Sequence, residues 1–152
     1  MVHALDEIRR TLKPNGILID LRPVEDNWQV EVASQQEVQV AGKLTDVPSG
    51  QKDDEAAFQA MHDVESQGWF TKECEENFTF FYYWDTPSEM KEFMDIEWED
   101  FEKIEDDVYR AAQSLWSQAN ADARMRVRVK MLITRWRCHC EKERSDDYCI
   151  TF

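Results

Sequence analysis

The chain has 152 residues, of which 32 are acidic and 18 basic, and its formal net charge is −14. A protein this acidic repels phosphate backbones and anionic membranes, so we expect neither nucleic acid nor a membrane as its partner. Apolar residues make up 42% of the composition, which suffices for one core and excludes wholesale disorder. No apolar run reaches the roughly 20 residues that span a bilayer, and no signal-peptide core follows Met1. We therefore expect a cytoplasmic, single-domain protein whose four cysteines are reduced thiols.

The first predicted unit is a helix, a tight turn and a strand. Leu5, Ile8 and Leu12 recur at helical spacing, and the "KPNG" sequence at 13–16 ends the helix because proline disfavours helix in the residue before it. The "ILIDL" run at 17–21 is almost continuously apolar, which is typical of a strand buried on both faces in a parallel sheet. Burial of its four aliphatic side chains would contribute roughly 6–12 kcal/mol, so we expect this strand to be covered.

A hairpin and a second helix come next. The stretches "WQVEVAS" at 28–34 and "EVQVAGKL" at 37–44 alternate valines with polar residues, which predicts a hairpin with one polar face. This hairpin is one candidate cover for the aliphatic strand. The segment at 45–54 contains proline, glycine and aspartates and predicts a loop, after which Asp53 caps a helix from residue 54 to about residue 67.

The second half of the chain predicts two long strands with helices between them. The sequence "WFTKECEENFTFFYYWDT" at 69–86 predicts a strand with an aromatic end. Thr86 and Glu89 form a capping box that starts a helical region, which continues to about Asn120 with a break near Glu97. Apolar and basic residues then alternate over 124–137, which is typical of a strand.

The order of these elements resembles the C-terminal half of a class I S-adenosylmethionine-dependent methyltransferase. In that family a helix carrying L-x-E-x-x-R-x-L-K-P-G-G leads into the fifth strand of a seven-stranded sheet, and two antiparallel strands end the domain. Asn15 stands in place of the first glycine of the motif, and the residues that match it are Leu5, Glu7, Arg10, Leu12, Lys13, Pro14 and Gly16. The resemblance covers one domain at roughly 1–137 and leaves a cysteine-containing tail at 138–152.

The resemblance implies an α+β fold, namely half of a methyltransferase-like α/β sandwich. A short mixed or antiparallel sheet would be covered by three or four helices, and the chain would begin in the middle of the family's fold. The cofactor-binding residues of the family precede its fifth strand, and this chain contains no G-x-G-x-G sequence. We therefore expect no cofactor for the lone chain, and S-adenosylmethionine only if a partner completes the site.

Three functions are compatible with this reasoning. The first is a non-catalytic, methyltransferase-derived module that forms a homodimer or docks on a partner protein covering strand 17–21. The second is one part of a split methyltransferase, which is inactive alone. The third is a small-ligand binder that uses the aromatic strand 78–84. The candidate lining of its pocket is Asp20, Trp28, Tyr82 and Trp84, although aromatic residues in this pattern are more often part of a core between sheet and helices.

Two further patterns have competing interpretations. The basic residues of 124–137, beside Trp136, could contact nucleic acid, but we expect them to pair with the acidic residues of 89–107. Cys138, Cys140 and Cys149 are weak candidates for a metal site. The C-x-C spacing is tighter than zinc sites usually have, so we expect no metal. Cys74, in the predicted strand, is expected to be a small packing residue.

Overall fold

The computed structural model describes residues 2–24 and 28–139, which form an α+β fold. In chain order the elements are α1 (Val2–Thr11), β1 (Ile17–Pro23), β2 (Gln29–Ala33), β3 (Val38–Lys43), β4 (Thr45–Asp46), α2 (Pro48–Ser66), β5 (Phe70–Trp84), α3 (Pro87–Glu97), β6 (Glu102–Lys103), α4 (Asp106–Gln118) and β7 (Arg124–Cys138). The expected α+β class, an antiparallel sheet with helices on it, is confirmed. No helix within these described ranges is long and apolar enough to cross a membrane.

Strand β7 organises the five-stranded sheet. Strand β5 pairs with it along one edge for nearly the whole length of both strands. On the other edge, β1 pairs with residues 131–137 and β2 pairs with residues 124–128, while β3 extends the sheet from β2. All of these pairings are antiparallel. The expectation of a parallel environment for β1 is therefore wrong.

The two faces of the sheet are covered at opposite ends of β7. We call the face that carries Met125, Val127 and Val129 the front face; there, helices α3 and α4 complete a core with the hairpin. On the opposite face, the back face, α1 and α2 pack over Trp136 and Cys138. This diagonal arrangement leaves large apolar side chains exposed on the front of β1, on the back of β3 and on both faces of β5.

Helix α3 begins as predicted from its capping residues. The hydroxyl of Thr86 accepts a hydrogen bond from the backbone N–H of Glu89 at 3.2 Å, and the Glu89 carboxylate accepts one from the backbone N–H of Thr86 at 3.3 Å. Helix α3 ends at Glu97 and α4 begins at Asp106, so the predicted break between the two helices is confirmed.

Helix α2 begins six residues earlier than the sequence predicted. Pro48 occupies its first turn, where the fixed φ of proline suits a helix. Backbone N–H groups in the first turn make no hydrogen bond within the helix, so the missing N–H of proline costs nothing there. Gly50 allows close contact with the following loop, since a Cβ at this position would lie 2.8 Å from the Cα of Phe101. Asp53 therefore lies inside the helix, and the expectation that it caps the helix is wrong.

The hairpin at 28–44 is confirmed as strands β2 and β3, with a bulge between Val30 and Glu31. It does not cover β1, however. It extends the sheet beside the first half of β7, whereas β1 lies beside the second half. The front of β1 is therefore left without the cover that the sequence analysis considered.

Candidate functional site

The front of strand β1 forms an exposed apolar surface. The register with β7 places Ile17, Ile19 and Leu21 on the front face, where their side chains are 42%, 51% and 54% exposed. Ile133 of β7 lies directly opposite Leu21, and Phe78 of β5 continues the surface on the far side of β7. We call these five residues the open front patch. The expectation that β1 is buried on both faces is wrong for this face.

The outer edge of β1 also has no strand partner within the described residues, where β1 pairs with β7 alone. Unpaired edges in natural sheets usually carry charged side chains, a mid-strand proline or a bulge that discourages association. The front side chains of β1 include no charged residue, and its one proline lies at its last position. This flank of the sheet therefore lacks the common protections.

The back of β1 is a small polar site. Asp20 pairs with Arg22, with 3.0 Å between the Arg22 Nε and Asp20 Oδ1 atoms, and both side chains are largely buried. The guanidinium of Arg22 also lies over the ring of Phe58, 5.0 Å from its centroid. Asp20 thus lies on the face opposite the aromatic residues with which the sequence analysis grouped it, and the structure does not bring it to their site.

The aromatic residues meet on the front face at the other end of β5. The register confirms that Phe78, Phe80, Tyr82 and Trp84 share this face. Trp98, which follows α3, lies at the centre of the cluster and makes edge-to-face contacts with Trp28 at 5.4 Å and with Tyr82 at 5.0 Å between ring centroids. Trp84 stacks beside Tyr82 at 6.1 Å. Three of the four predicted pocket residues therefore belong to one cluster.

A cavity of about 350 Å³ opens beside this cluster. Trp28, Tyr82, Trp98 and Phe101 form its aromatic lining, and Asp53 and Asp54 of α2 line it as well. Sequence reasoning did not assign Trp98 and Phe101 to the pocket; both lie in the turn between α3 and β6. The alternation of β5 identified Tyr82, but nothing in the sequence indicated that the turn at 98–101 folds back onto it.

The basic side of β7 does not face the acidic helix. Arg124, Arg126, Arg128 and Lys130 lie on the back face, whereas α3 packs on the front. Arg126 binds the buried carboxylate of Glu31 at 2.6 Å, and Arg124 binds Asp85 at 2.8 Å. The expected pairing of this strand with residues 89–107 is therefore wrong for these two arginines, which find their acidic partners on β2 and just after β5.

The Arg126 site combines an ion pair with aromatic contacts. Its guanidinium lies 4.3 Å from the centroid of the Phe81 ring and donates a hydrogen bond of 3.5 Å to the Tyr83 hydroxyl. Burial opposes the charge of the guanidinium, but the hydrogen bonds with Tyr83 and Glu31 outweigh burial and raise the pKa of Arg126. This cation therefore has a structural role that fixes β2 and β5 on either side of β7.

A second cavity, of about 370 Å³, lies on the back face. Its polar lining includes Lys43, Arg128 and Lys130, and none of the described residues that line it is acidic. It is thus opposite in charge to the front cavity, although Trp28 and Val129 border both. The absence of a nucleic-acid partner remains a prediction.

Glu73 joins the bulge of β5 to the end of β7. Its carboxylate binds Arg137 at 2.7 Å and Arg135 at 2.8 Å, and Arg137 also donates to the backbone carbonyl of Asn15 at 2.8 Å. The hydrogen bonds with Arg137, together with the charges of both arginines, lower the pKa of Glu73 in spite of some desolvation. The cluster ties the turn before β1 to both long strands.

The cysteines do not form a metal site within the described residues. Residues 2–24 and 28–139 contain no group of three His, Cys, Asp or Glu side chains that could hold a metal ion. Cys138 is the last residue of β7, buried and disulfide-bonded, so the expectation of a reduced thiol is wrong there. Cys74 is exposed rather than packed. Cys140 and Cys149 lie outside the described residues.

The glycines of the structure do not form a cradle for S-adenosylmethionine, the cofactor that the family resemblance implies. A Cβ at Gly42 would lie 2.8 Å from Val108, and one at Gly50 would meet Phe101. Gly16 lies in the turn before β1, and Gly68 has a positive φ in the turn after α2. These glycines serve packing and turns, and the expectation that the lone chain has no cofactor stays a prediction.

Comparison with known proteins gives no relative. A scan against protein-family models, a search of curated proteins and a search of solved structures each found no match for this chain.

Proposed function

We propose that this chain is a non-catalytic, methyltransferase-derived module that docks through strand β1, with a second copy of the chain as its partner. The open front patch carries the proposal, because it places three large aliphatic side chains in water on a strand whose outer edge pairs with no other described strand. Each such side chain stabilises by about 1.5–3 kcal/mol when it is fully buried. A cover over β1 would therefore recover stability that the isolated chain lacks.

A symmetric contact suits this surface. In a twofold dimer the same patch meets itself, so the patch must be complementary to its own copy. An uncharged aliphatic surface meets that condition, whereas a strongly charged one would repel its copy. Ile17, Ile19 and Leu21 provide such a surface, and Glu73 pairs with the nearby arginines at 135 and 137, which offsets one of their two positive charges.

The resemblance gives the module its proposed origin. In the resembled family the fifth strand leads toward two closing antiparallel strands, and here β1 is followed by the antiparallel pair of β5 and β7. The motif residues of α1 precede β1 in the expected order. This agreement supports the proposal at the level of element order alone.

The test is the oligomeric state of the chain and of two matched variants. Sedimentation velocity over a range of concentrations should show a dimer for the wild-type chain. The Ile19→Lys variant should be monomeric at the same concentrations, because docking would bury a lysine charge at the centre of the patch. The control is Val38→Lys, a β-branched residue that is similarly exposed but lies on the back of β3.

Two results would contradict the proposal. One is a wild-type chain that stays monomeric up to the highest soluble concentration. The other is equal dissociation by the two lysine variants, which would indicate a general effect of added charge rather than a contact through β1.

The second candidate is one part of a split methyltransferase, which the same open flank of β1 favours because a cofactor-binding half could dock there. Calorimetric titration of the pure chain with S-adenosylmethionine and S-adenosylhomocysteine tests both candidates, since each expects no cofactor site in the lone chain. Micromolar binding would mean that a cofactor site forms without a further protein and would favour enzymatic function. The docking module and the split half both predict no heat and no thermal shift when either compound is added to the pure chain.

A further inference from the structure

The front cavity has the chemistry of a site for an organic cation. Its lining combines the aromatic rings of Trp28, Tyr82, Trp98 and Phe101 with the carboxylates of Asp53 and Asp54. None of the described residues that line it is lysine, arginine or histidine. The faces of aromatic rings attract cations, and nearby carboxylates add to that attraction. Among the described lining residues, an anionic ligand would meet only charges of its own sign.

The rings stand at steep angles to one another. The plane of Trp98 makes an angle of 76° with that of Trp28 and of 85° with that of Tyr82. Perpendicular rings form a corner, so a rounded group placed beside the cluster can contact more than one ring. Such a corner suits a compact, roughly spherical cation better than a flat one.

The apolar part of the lining selects among cations. Pro23, Val129 and Met131 offer no side-chain hydrogen-bond acceptor to a ligand that reaches them. A primary ammonium group would lose hydrogen bonds to water on this side and would not regain them. A quaternary, N-methylated ammonium group has no N–H to satisfy, and its methyl groups can contact apolar atoms.

Hydrogen bonds within the chain order the walls of the cavity in the absence of a ligand. The indole N–H of Trp28 donates to the backbone carbonyl of Val24 at 3.0 Å. The turn that carries Phe101 is tied to the start of α2, because the Val47 N–H donates to the Phe101 carbonyl at 2.9 Å and the Ser49 hydroxyl to the Asp100 carbonyl at 2.7 Å. A site that is already ordered costs little conformational entropy on binding.

From these observations we infer that the front cavity binds a small quaternary ammonium ligand between its aromatic corner and the carboxylates of α2. Its volume of about 350 Å³ lies at the lower end of the range of about 300–1,000 Å³ that ligand pockets span, which favours a small molecule. The inference goes beyond docking through β1, since it concerns another surface of the front face and holds for a monomer or a dimer.

The probe is choline, and its neutral counterpart is 3,3-dimethyl-1-butanol, in which carbon replaces the nitrogen. Titration of the ¹⁵N-labelled full chain should shift the indole N–H signals of Trp28 and Trp98 with choline. The neutral alcohol has nearly the same shape and should bind at least about tenfold more weakly, because it lacks the charge that the rings and carboxylates recognise.

Two variants place the binding in the cavity. Tyr82→Leu should weaken choline binding about tenfold through the loss of one ring, and Asp53→Asn should weaken it severalfold through the loss of one charge. The control is Tyr83→Leu, because Tyr83 is the next residue and is 45% exposed, close to the 37% of Tyr82, but faces the back of the sheet. It should bind choline as the wild-type chain does.

Three outcomes would overturn the inference. The first is the absence of any shift of the two indole signals at tens of millimolar choline. The second is equal affinity for choline and the neutral alcohol, which would indicate an apolar pocket only. The third is an equal loss of binding in the Tyr82 and Tyr83 variants while their circular dichroism spectra match that of the wild-type chain.

Discussion

Strands β1 and β5 flank β7, and they differ in how well their outer edges are protected against association with another strand. Within the described residues, each pairs with β7 and has no strand on its other edge. The first half of β5 carries Lys72, Glu73, Glu75 and Glu76 and has a bulge between Lys72 and Cys74, both of which discourage strand association. The front of β1 carries Ile17, Ile19 and Leu21. One flank is thus protected against association and the other is not.

Exposure alone therefore does not define a docking surface. Phe80 on β5 is about as exposed as Ile17, but it follows a segment whose charges would have to be desolvated by any partner spreading along that strand. On β1 no such charge stands on the front face. The sign and position of neighbouring charges therefore separate the two apolar surfaces.

The largest expected effect compares two phenylalanines of β5. Phe70 is 0% exposed in the core beneath α1 and α2, whereas Phe78 is 42% exposed in the open front patch. Phe70→Ala should lower the free energy of unfolding by about 3–5 kcal/mol through the cavity it leaves. Phe78→Ala should cost about 1 kcal/mol, because much of its ring remains in water. Urea unfolding of dilute samples measures both values.

Similar losses for these two variants would contradict the comparison. They would mean that the ring of Phe78 is as well covered in solution as that of Phe70, and that the front patch is closed by some part of the chain.

An intermediate effect is expected when the protection of β5 is removed. Glu76 lies on the front face, directly across Ile133 from Leu21. Glu76→Ile should enlarge the open front patch and tighten self-association about tenfold, which corresponds to about 1.4 kcal/mol. Sedimentation equilibrium gives the dissociation constants.

The control for this prediction is Glu75→Val, because Glu75 faces the back of the sheet, opposite Thr134. It should leave the dissociation constant unchanged. An increase in association for the Glu75 variant alone would place the contact on the wrong face and count against the role of the front patch.

The smallest expected effect is a change in the stability of the chain at acidic pH. The pKa of Glu73 is lowered in the folded chain from its ordinary value of 4.5, chiefly by its hydrogen bond with Arg137. The stability that this carboxylate contributes is therefore fully present above pH 4.5 and is lost as the pH falls through the folded pKa. Glu73→Gln should flatten the decline of the melting temperature below that pH.

The Glu75→Gln variant serves as the reference, because Glu75 pairs with a lysine on its own strand and not with β7. An acid profile for Glu73→Gln that matches the wild-type profile would show that the arginine cluster does not couple protonation to folding.

Local patterns in the sequence predicted the elements well, because they depend on neighbours along the chain. The capping box at Thr86, the alternation of β5 and β7 and the hairpin at 28–44 were all predicted. The start of α2 was missed because the short segment at 48–53 contains proline and glycine, which usually indicate a loop. Pro48 instead suits a first helical turn, and Gly50 is explained only by its contact with distant Phe101.

Long-range placement was harder to predict. Trp28, Tyr82 and Trp84 lie together as predicted, and alternation on β5 fixes the face of the last two. Asp20 was assigned to the same site, although the register with β7 turns it to the back. The basic residues of β7 were predicted from charge alone to pair with the acidic helix. Charge does not reveal which face of a sheet a helix covers, and here Glu31 of the hairpin provides the partner of Arg126.

The central position of β7 has a consequence for how the chain folds. Among the described residues, strand β1 pairs only with β7. Ile17 and Leu21 therefore cannot pair until their partners Arg137 and Ile133, more than a hundred residues later, have been synthesised. At the usual pace of synthesis, about 5–20 residues per second, β1 remains without its strand partner for several seconds. Closing so long a loop also slows the search for that register. The least protected strand of the finished sheet is thus the one that waits longest during synthesis, when a chaperone has the most time to bind it.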